Sequence, residues 1–283
     1  MSTAFPDRRE VIRVDSPAIR QGMTADHRAR PLVAPGDWAF TDPFLLLMED
    51  WFPEGVFEPH PHRGIETVTY VIEGDVDHYD NHGNSGAIGP GGALWLTAGR
   101  GLVHNERPAG DKPVHLLQLW VNLPRESKLV PARYQEIHPE QTPVRRSEGA
   151  EIRVFSGSSG DVVSGTQNYA KVILVEVRAQ QGAVVEQELP AGLNAFVVVQ
   201  EGSAVVGTGN TRLAAGQVGW LNRSDAASTV SVEAGEEGMR AFLIGGMPLH
   251  EPVAARGPFV MNTQEELAAG FAEFRAKGER FGL

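Results

Sequence analysis

The chain contains no cysteine. No disulfide framework, thiolate nucleophile or sulfur-ligated metal can form, so any transition metal it holds must be bound through imidazole and carboxylate. Clustered positive charge is also scarce: 25 Lys and Arg stand against 36 Asp and Glu, a formal net charge of −11. A nucleic-acid backbone or an anionic membrane surface is bound by clustered cations. The pairs Arg8-Arg9 and Arg145-Arg146 are isolated and read as solvated surface. No apolar run approaches the roughly 20 residues that span a bilayer. The opening Met1 to Ser16 is polar with charges of both signs, unlike a secretory signal. These absences argue against direct nucleic-acid or membrane partners and leave the cytoplasm as the expected location.

What is present is β-structure. Thr67 to Ile72, Leu116 to Val121, Val172 to Val177 and Phe196 to Val199 are rich in β-branched or aromatic residues, and most are bounded by turn residues. With 32 Gly and 19 Pro between many short strands, the pattern predicts an all-β barrel or sandwich. The C-terminus differs. Thr263 and Glu266 form a T-x-x-E capping box, Leu267, Phe271 and Phe274 follow on one helical face, and Arg275, Lys277 and Arg280 lie where the helix dipole favours cations.

A chain of 283 residues is long enough for two cores. A weak internal repeat supports that division: Val68 to Gly74 resembles Phe196 to Gly202, and Gly91 to Trp95 resembles Gly216 to Trp220. Between the copies, Gln135 to Ser147 is rich in proline, charge and polar residues and reads as a linker, predicting domains 1–140 and 141–283, the second ending in the helix.

Two short motifs carry chemistry. In a strand, residues i and i+2 project from one face, so His60-Pro61-His62 and His104-Asn105-Glu106 each offer two ligands side by side. Brought together on facing strands, they would supply three imidazoles and a carboxylate to one divalent transition metal such as iron, copper, nickel or zinc. Carried through the repeat, His60 and His62 fall on Glu188 and Pro190, and His104 and Glu106 on Thr229 and Ser231. The second half is thus expected to be a metal-free copy, with one metal per chain.

Other candidates compete less well. Glu66 is the rival carboxylate, but on a continuous strand it lies about 13 Å beyond His62 at roughly 3.3 Å per residue, and it reads as a supporting acceptor. His115 and Gln118 could orient a ligand or touch substrate, or simply be satisfied core or surface groups. His78, Asp80 and His82 alternate but flank Asn81 and Gly83, and read as an exposed hairpin tip. His27, His138 and His250 have no partner pattern. Arg63 and Arg100 could hold a carboxylate or brace the ligand loops. Trp51, Trp95, Trp120 and Phe57 could line an aromatic pocket, although such residues usually fill the core.

An H-x-H pair, a Gly-rich hairpin, a Pro-Gly turn and a later histidine follow the order of the cupin superfamily. The spacing departs from the usual pattern: Pro90-Gly91-Gly92 lies well upstream of His104, and His104-Asn105-Glu106 replaces an isolated histidine. Phe57 to Val68, Thr97 to Glu106, Leu117 to Leu123 and Gly257 to Thr263 resemble the pirin family of bicupins, with the likeness running from about Val11 to about Glu266. The resemblance implies two tandem small β-barrels of the double-stranded β-helix (jelly-roll) type with a C-terminal α-helix. It implies one Fe(2+) held by His60, His62, His104 and Glu106 in the N-terminal cupin, with nickel, cobalt, manganese, copper and zinc as other candidates, and an empty C-terminal cupin. It further implies a quercetinase-type dioxygenase. Its partners would be dioxygen and a small flavonol-like phenolic, whose hydroxyl beside the carbonyl gives its proton to Glu106 before ring opening with release of carbon monoxide. The alternative within the family is a non-catalytic, redox-sensing iron protein acting through a protein partner.

Overall fold

The computed structural model describes residues 7–283. Antiparallel strands dominate, and the one long helix among the described residues is Gln264–Lys277. No helix among the described residues is long and apolar enough to cross a membrane. The fold is an all-β bicupin.

The first unit comprises residues 18–141, 168–170 and 249–283. Its larger sheet runs in the order Arg133–Ile137, Ala93–Thr97, Ile65–Glu73, Val114–Asn122, Phe44–Phe52, Arg28–Val33, Arg20–Gln21. A four-stranded sheet orders His60–His62, Leu102–Pro108, Val76–Asp80, Ser85–Ile88. Alternation dictates the burial. Phe52, Val71, Leu94, Val114 and Leu116 meet Val76 and Ile88 of the smaller sheet in one apolar cluster. Each such side chain contributes about 1.5–3 kcal/mol by leaving water.

The second unit holds residues 7–17, 142–167 and 171–248 around a sheet with Ser228–Gly246 and Asn194–Val206 at its centre. The sequence repeat is visible in its registers. Val68 pairs with Trp95 in the first unit and Phe196 with Trp220 in the second; His60 pairs with His104, and Glu188 with Thr229. The positions that carry imidazoles in one copy therefore carry Glu and Thr at the same place in the other.

The compact units differ from the contiguous division at residue 140 in their terminal segments and in the short stretch 168–170. Val11–Asp15 pairs with Val218–Leu221 in the second unit's sheet, whereas the C-terminal helix belongs to the first unit. The physical reason is local. Val11–Asp15 satisfies its backbone groups on that strand edge, and Phe271 and Phe274 of the helix pack on Val103, Phe259 and Phe281. The capping box forms as read: Thr263 Oγ1 accepts from the Glu266 N–H at 3.2 Å, and Glu266 Oε2 accepts from the Thr263 N–H at 3.1 Å.

Candidate metal centre

Antiparallel pairing of His60–His62 with Leu102–Pro108 sets His104 directly across from His60. The ring centroids of His60, His62 and His104 are 4.6–4.9 Å apart, and one nitrogen from each ring lies within 4.8 Å of the others. Gly64 makes the turn that follows, at φ +77°, where a Cβ would lie 1.9 Å from the Val260 carbonyl oxygen. Only glycine fits there.

The three imidazoles are prepared as donors. His60 is half-buried, and its Nδ1–H donates to the Glu58 carbonyl at 2.9 Å. His104 is buried with no hydrogen-bond partner on either ring nitrogen, and His62 is buried with only the Pro258 backbone close enough to interact with its ring. Burial first, and the neighbouring imidazoles second, hold both well below the usual histidine range, which keeps them neutral. Orphaned buried nitrogens of this kind are costly unless something binds them.

Glu106 lies two residues on from His104. Its Oε2 accepts from Thr69 Oγ1 at 2.7 Å and from the Gln118 amide at 3.2 Å. Its Oε1 is buried without a hydrogen-bond partner, 4.0 Å from His104 Nδ1 and 3.7 Å from His78 Nδ1. The side chains thus form two groups, His60–His62–His104 and His78–His104–Glu106, joined through His104. Three clustered imidazoles and a carboxylate oxygen that makes no hydrogen bond fit a divalent transition metal.

His78 corrects the sequence reading. It is buried rather than part of an exposed tip, because Val76–Asp80 is a strand and the turn begins at Asn81. His78 pairs with Glu106, stacks on Tyr134 at 4.5 Å and stands 3.6 Å from Asp80 Oδ2. Burial alone would lower its pKa, but the Asp80 and Glu106 carboxylates outweigh this and raise it to about 9. Asp80 is buried too, and builds the turn by accepting the His82 and Asn84 backbone N–H groups. The missed signal was parity: Val76, His78 and Asp80 share the inward face, while Asp77 and Tyr79 alternate outward.

Glu66 points elsewhere. It has opposite parity to Thr69 on the same strand and accepts from Thr97 Oγ1 at 2.8 Å. Burial raises its pKa to about 7 against the hydrogen bonds that lower it. Between pH 4.5 and 7 the folded chain therefore keeps a proton that the unfolded chain releases, so stability falls as pH rises through that window. Glu66→Gln should retain the metal. Apart from any constant offset, its unfolding free energy should gain on wild type by about 3 kcal/mol between pH 4.5 and 8, measured by denaturant titration of the apo-protein. Loss of the ion in Glu66→Gln but not in Glu106→Gln would exchange the two carboxylates' roles.

The basic residues brace the site. Arg63 donates to the Arg100 carbonyl and to Glu273 Oε2, both at 2.6 Å, and Arg100 donates to the Gly282 carbonyl at 2.8 Å. Lys128, which sequence reasoning passed over, is buried and donates to the carbonyls of Gly64 at 2.8 Å and Val260 at 3.0 Å. Burial lowers it to about 7.

A cavity of about 610 Å³ opens over the centre, its walls including Phe52, Phe57, Leu116 and Trp120 beside His60, His62, Glu106 and Gln118. Trp120 stands 5.0 Å from His62 and donates to Gln118 Oε1 at 3.1 Å. Of the other candidates, Trp95 is core, and Trp51 stacks on His115 at 4.4 Å while His115 meets Glu49 at 2.9 Å. Because both donor groups share His104, metal analysis after anaerobic reconstitution should give about one ion per chain; two tightly held ions would contradict that.

Residues 35–121 match the family model described as pirin, and residues 174–282 match the pirin C-terminal cupin domain. The chain is similar to pirin of Rattus norvegicus, 36% identical over 88% of this chain and 86% of that protein. It is also similar to a pirin-like protein of Caulobacter vibrioides, 39% identical over 83% and 86%. A crystal structure of quercetin 2,3-dioxygenase from Acinetobacter baumannii superposes with a TM-score of 0.84 at 29% identity, covering 98% of this chain and all (100%) of that one.

Proposed function

The chain belongs to the pirin family, and from that premise we propose that it is an iron-dependent dioxygenase of the quercetinase type. The substrate is a flavonol-like phenolic with a hydroxyl beside a carbonyl. The metal is held by His60, His62, His104 and Glu106, and the second cupin carries none. The observation that supports this reading best is that His60, His62 and Glu106 line one largely apolar cavity, with Glu106 Oε2 fixed by Thr69 and Gln118.

Iron, when bound, would supply the Lewis acidity that favours the enolate form of the substrate and a template for it, while the electrons that reduce dioxygen would come from the substrate itself. The chain supplies the rest. Glu106 is the base that takes the hydroxyl proton on Oε1, within reach of a substrate lying against Trp120 and Gln118. Thr69 and Gln118 stop the carboxylate from rotating away. Phe52, Phe57 and Leu116 keep water from the reacting face and match a planar aromatic ring. The expected setting is the cytoplasm.

A second reading, a redox-sensing iron protein that signals to a protein partner, draws support from the Arg63–Glu273 bridge, which ties the loop after His62 to the C-terminal helix. Oxygen uptake by iron-loaded protein separates the two. Flavonols should be consumed, whereas analogues lacking the hydroxyl next to the carbonyl should not. Equal rates with both, or none with either, would reject the dioxygenase.

A further inference from the structure

The cavity has a second carboxylate besides Glu106, on a different sheet. Asp50 is buried on the Phe44–Phe52 strand, directly opposite Leu116, and turns into the cavity on the same sheet face as Gln118. One same-face step along the strand and one strand spacing put its Cα roughly 8 Å from that of Gln118. Asp50 Oδ1 meets His27 Nε2 at 2.9 Å, and His27 Nδ1 accepts the Met23 backbone N–H at 2.9 Å. A backbone N–H can only donate, so Nδ1 carries no proton and Nε2–H is the donor to Asp50. The imidazole is held edge-on by Phe52 at 5.9 Å and Phe57 at 5.3 Å. Gly22 leaves it room, since a Cβ there would lie 2.2 Å from Nδ1. Among the described residues nothing else donates to Asp50.

A carboxylate oriented by a locked imidazole, with one oxygen open to an otherwise apolar wall, is an acceptor awaiting a donor. We propose that Asp50, positioned by His27, is the specificity-determining anchor for the far end of the substrate, accepting a hydrogen bond from a phenolic hydroxyl on the ring distant from Glu106. This deepens the dioxygenase reading and rests on it for the kind of substrate. Preferred ligands then carry two marks: the enolisable hydroxyl at the metal end and a phenol on the pendant ring.

The test is anaerobic equilibrium binding of flavonols that differ only in having none, one or two hydroxyls on the pendant ring. It is followed by flavonol absorbance with iron-loaded wild type, Asp50→Ala and Asp50→Asn. A hydrogen bond to a charged acceptor predicts that wild type binds the hydroxylated ligands about 10- to 100-fold more tightly than the bare one. Both variants should lose most of that ratio while keeping the affinity for the bare ligand. A wild-type ratio near one overturns the proposal without any variant, as does a ratio that survives in both variants. Discrimination in binding with no oxygen uptake would keep the anchor and remove the dioxygenase. Turnover without discrimination would do the reverse, and no binding of any flavonol would remove both.

Discussion

Alanine at His104 should lower metal affinity by more than about 100-fold while far-ultraviolet circular dichroism still reports the β-fold. His104 belongs to both donor groups, so its loss leaves neither complete. Changes to groups that only support metal ligands already weaken binding about 10- to 100-fold, and deleting a ligand should exceed that. The fold should survive because the His104 ring makes no hydrogen bond in the protein and the flanking strand ladders are backbone-held. His62→Ala should behave alike, being equally buried and part of the same imidazole group. Isothermal titration with the divalent ion under anaerobic conditions reads the result. Unchanged affinity in both variants would remove the proposed centre.

Compared with wild type at equal metal loading, Glu106→Gln should act on turnover more than on flavonol binding. The amide oxygen can still accept from Thr69 and Gln118, but the NH2 group then stands where Oε1 was and cannot take a proton. General bases contribute about 10²- to 10⁴-fold, so kcat for flavonol oxidation should fall by that order with KM little changed. If kcat held while the metal was retained, the base would have to be sought elsewhere.

The chemistry of this chain lies close to the surface of its sequence wherever a period of two governs it. His60 with His62 and His104 with Glu106 could be paired on parity alone, and the glycine alignment carried far enough to anticipate which residues face each other in the second copy. His78 was hidden by its neighbours, because Asn81 and Gly83 mark a turn so strongly that the three-residue alternation before it was absorbed into the tip. The pairing of His27 with Asp50 depends on a hairpin that folds residue 27 back beside residue 50, and no local pattern announces it. Lys128 was illegible for a different reason: a lysine is read as surface unless acceptors converge on it, and these, the Gly64 and Val260 carbonyls and the Asn122 side-chain oxygen, come from three separate segments. The placement of the terminal segments belongs to the same class. Strand-edge satisfaction and helix docking are long-range contacts, invisible to composition near residue 140.

The central claim, that this centre turns dioxygen onto an enolisable phenolic, is tested most directly by measuring oxygen consumed and carbon monoxide released together in one sealed reaction of iron-loaded protein with a flavonol. Equal amounts of the two gases per flavonol, absent with His104→Ala, are expected. Flavonol binding with no oxygen consumed and no carbon monoxide formed would contradict the claim.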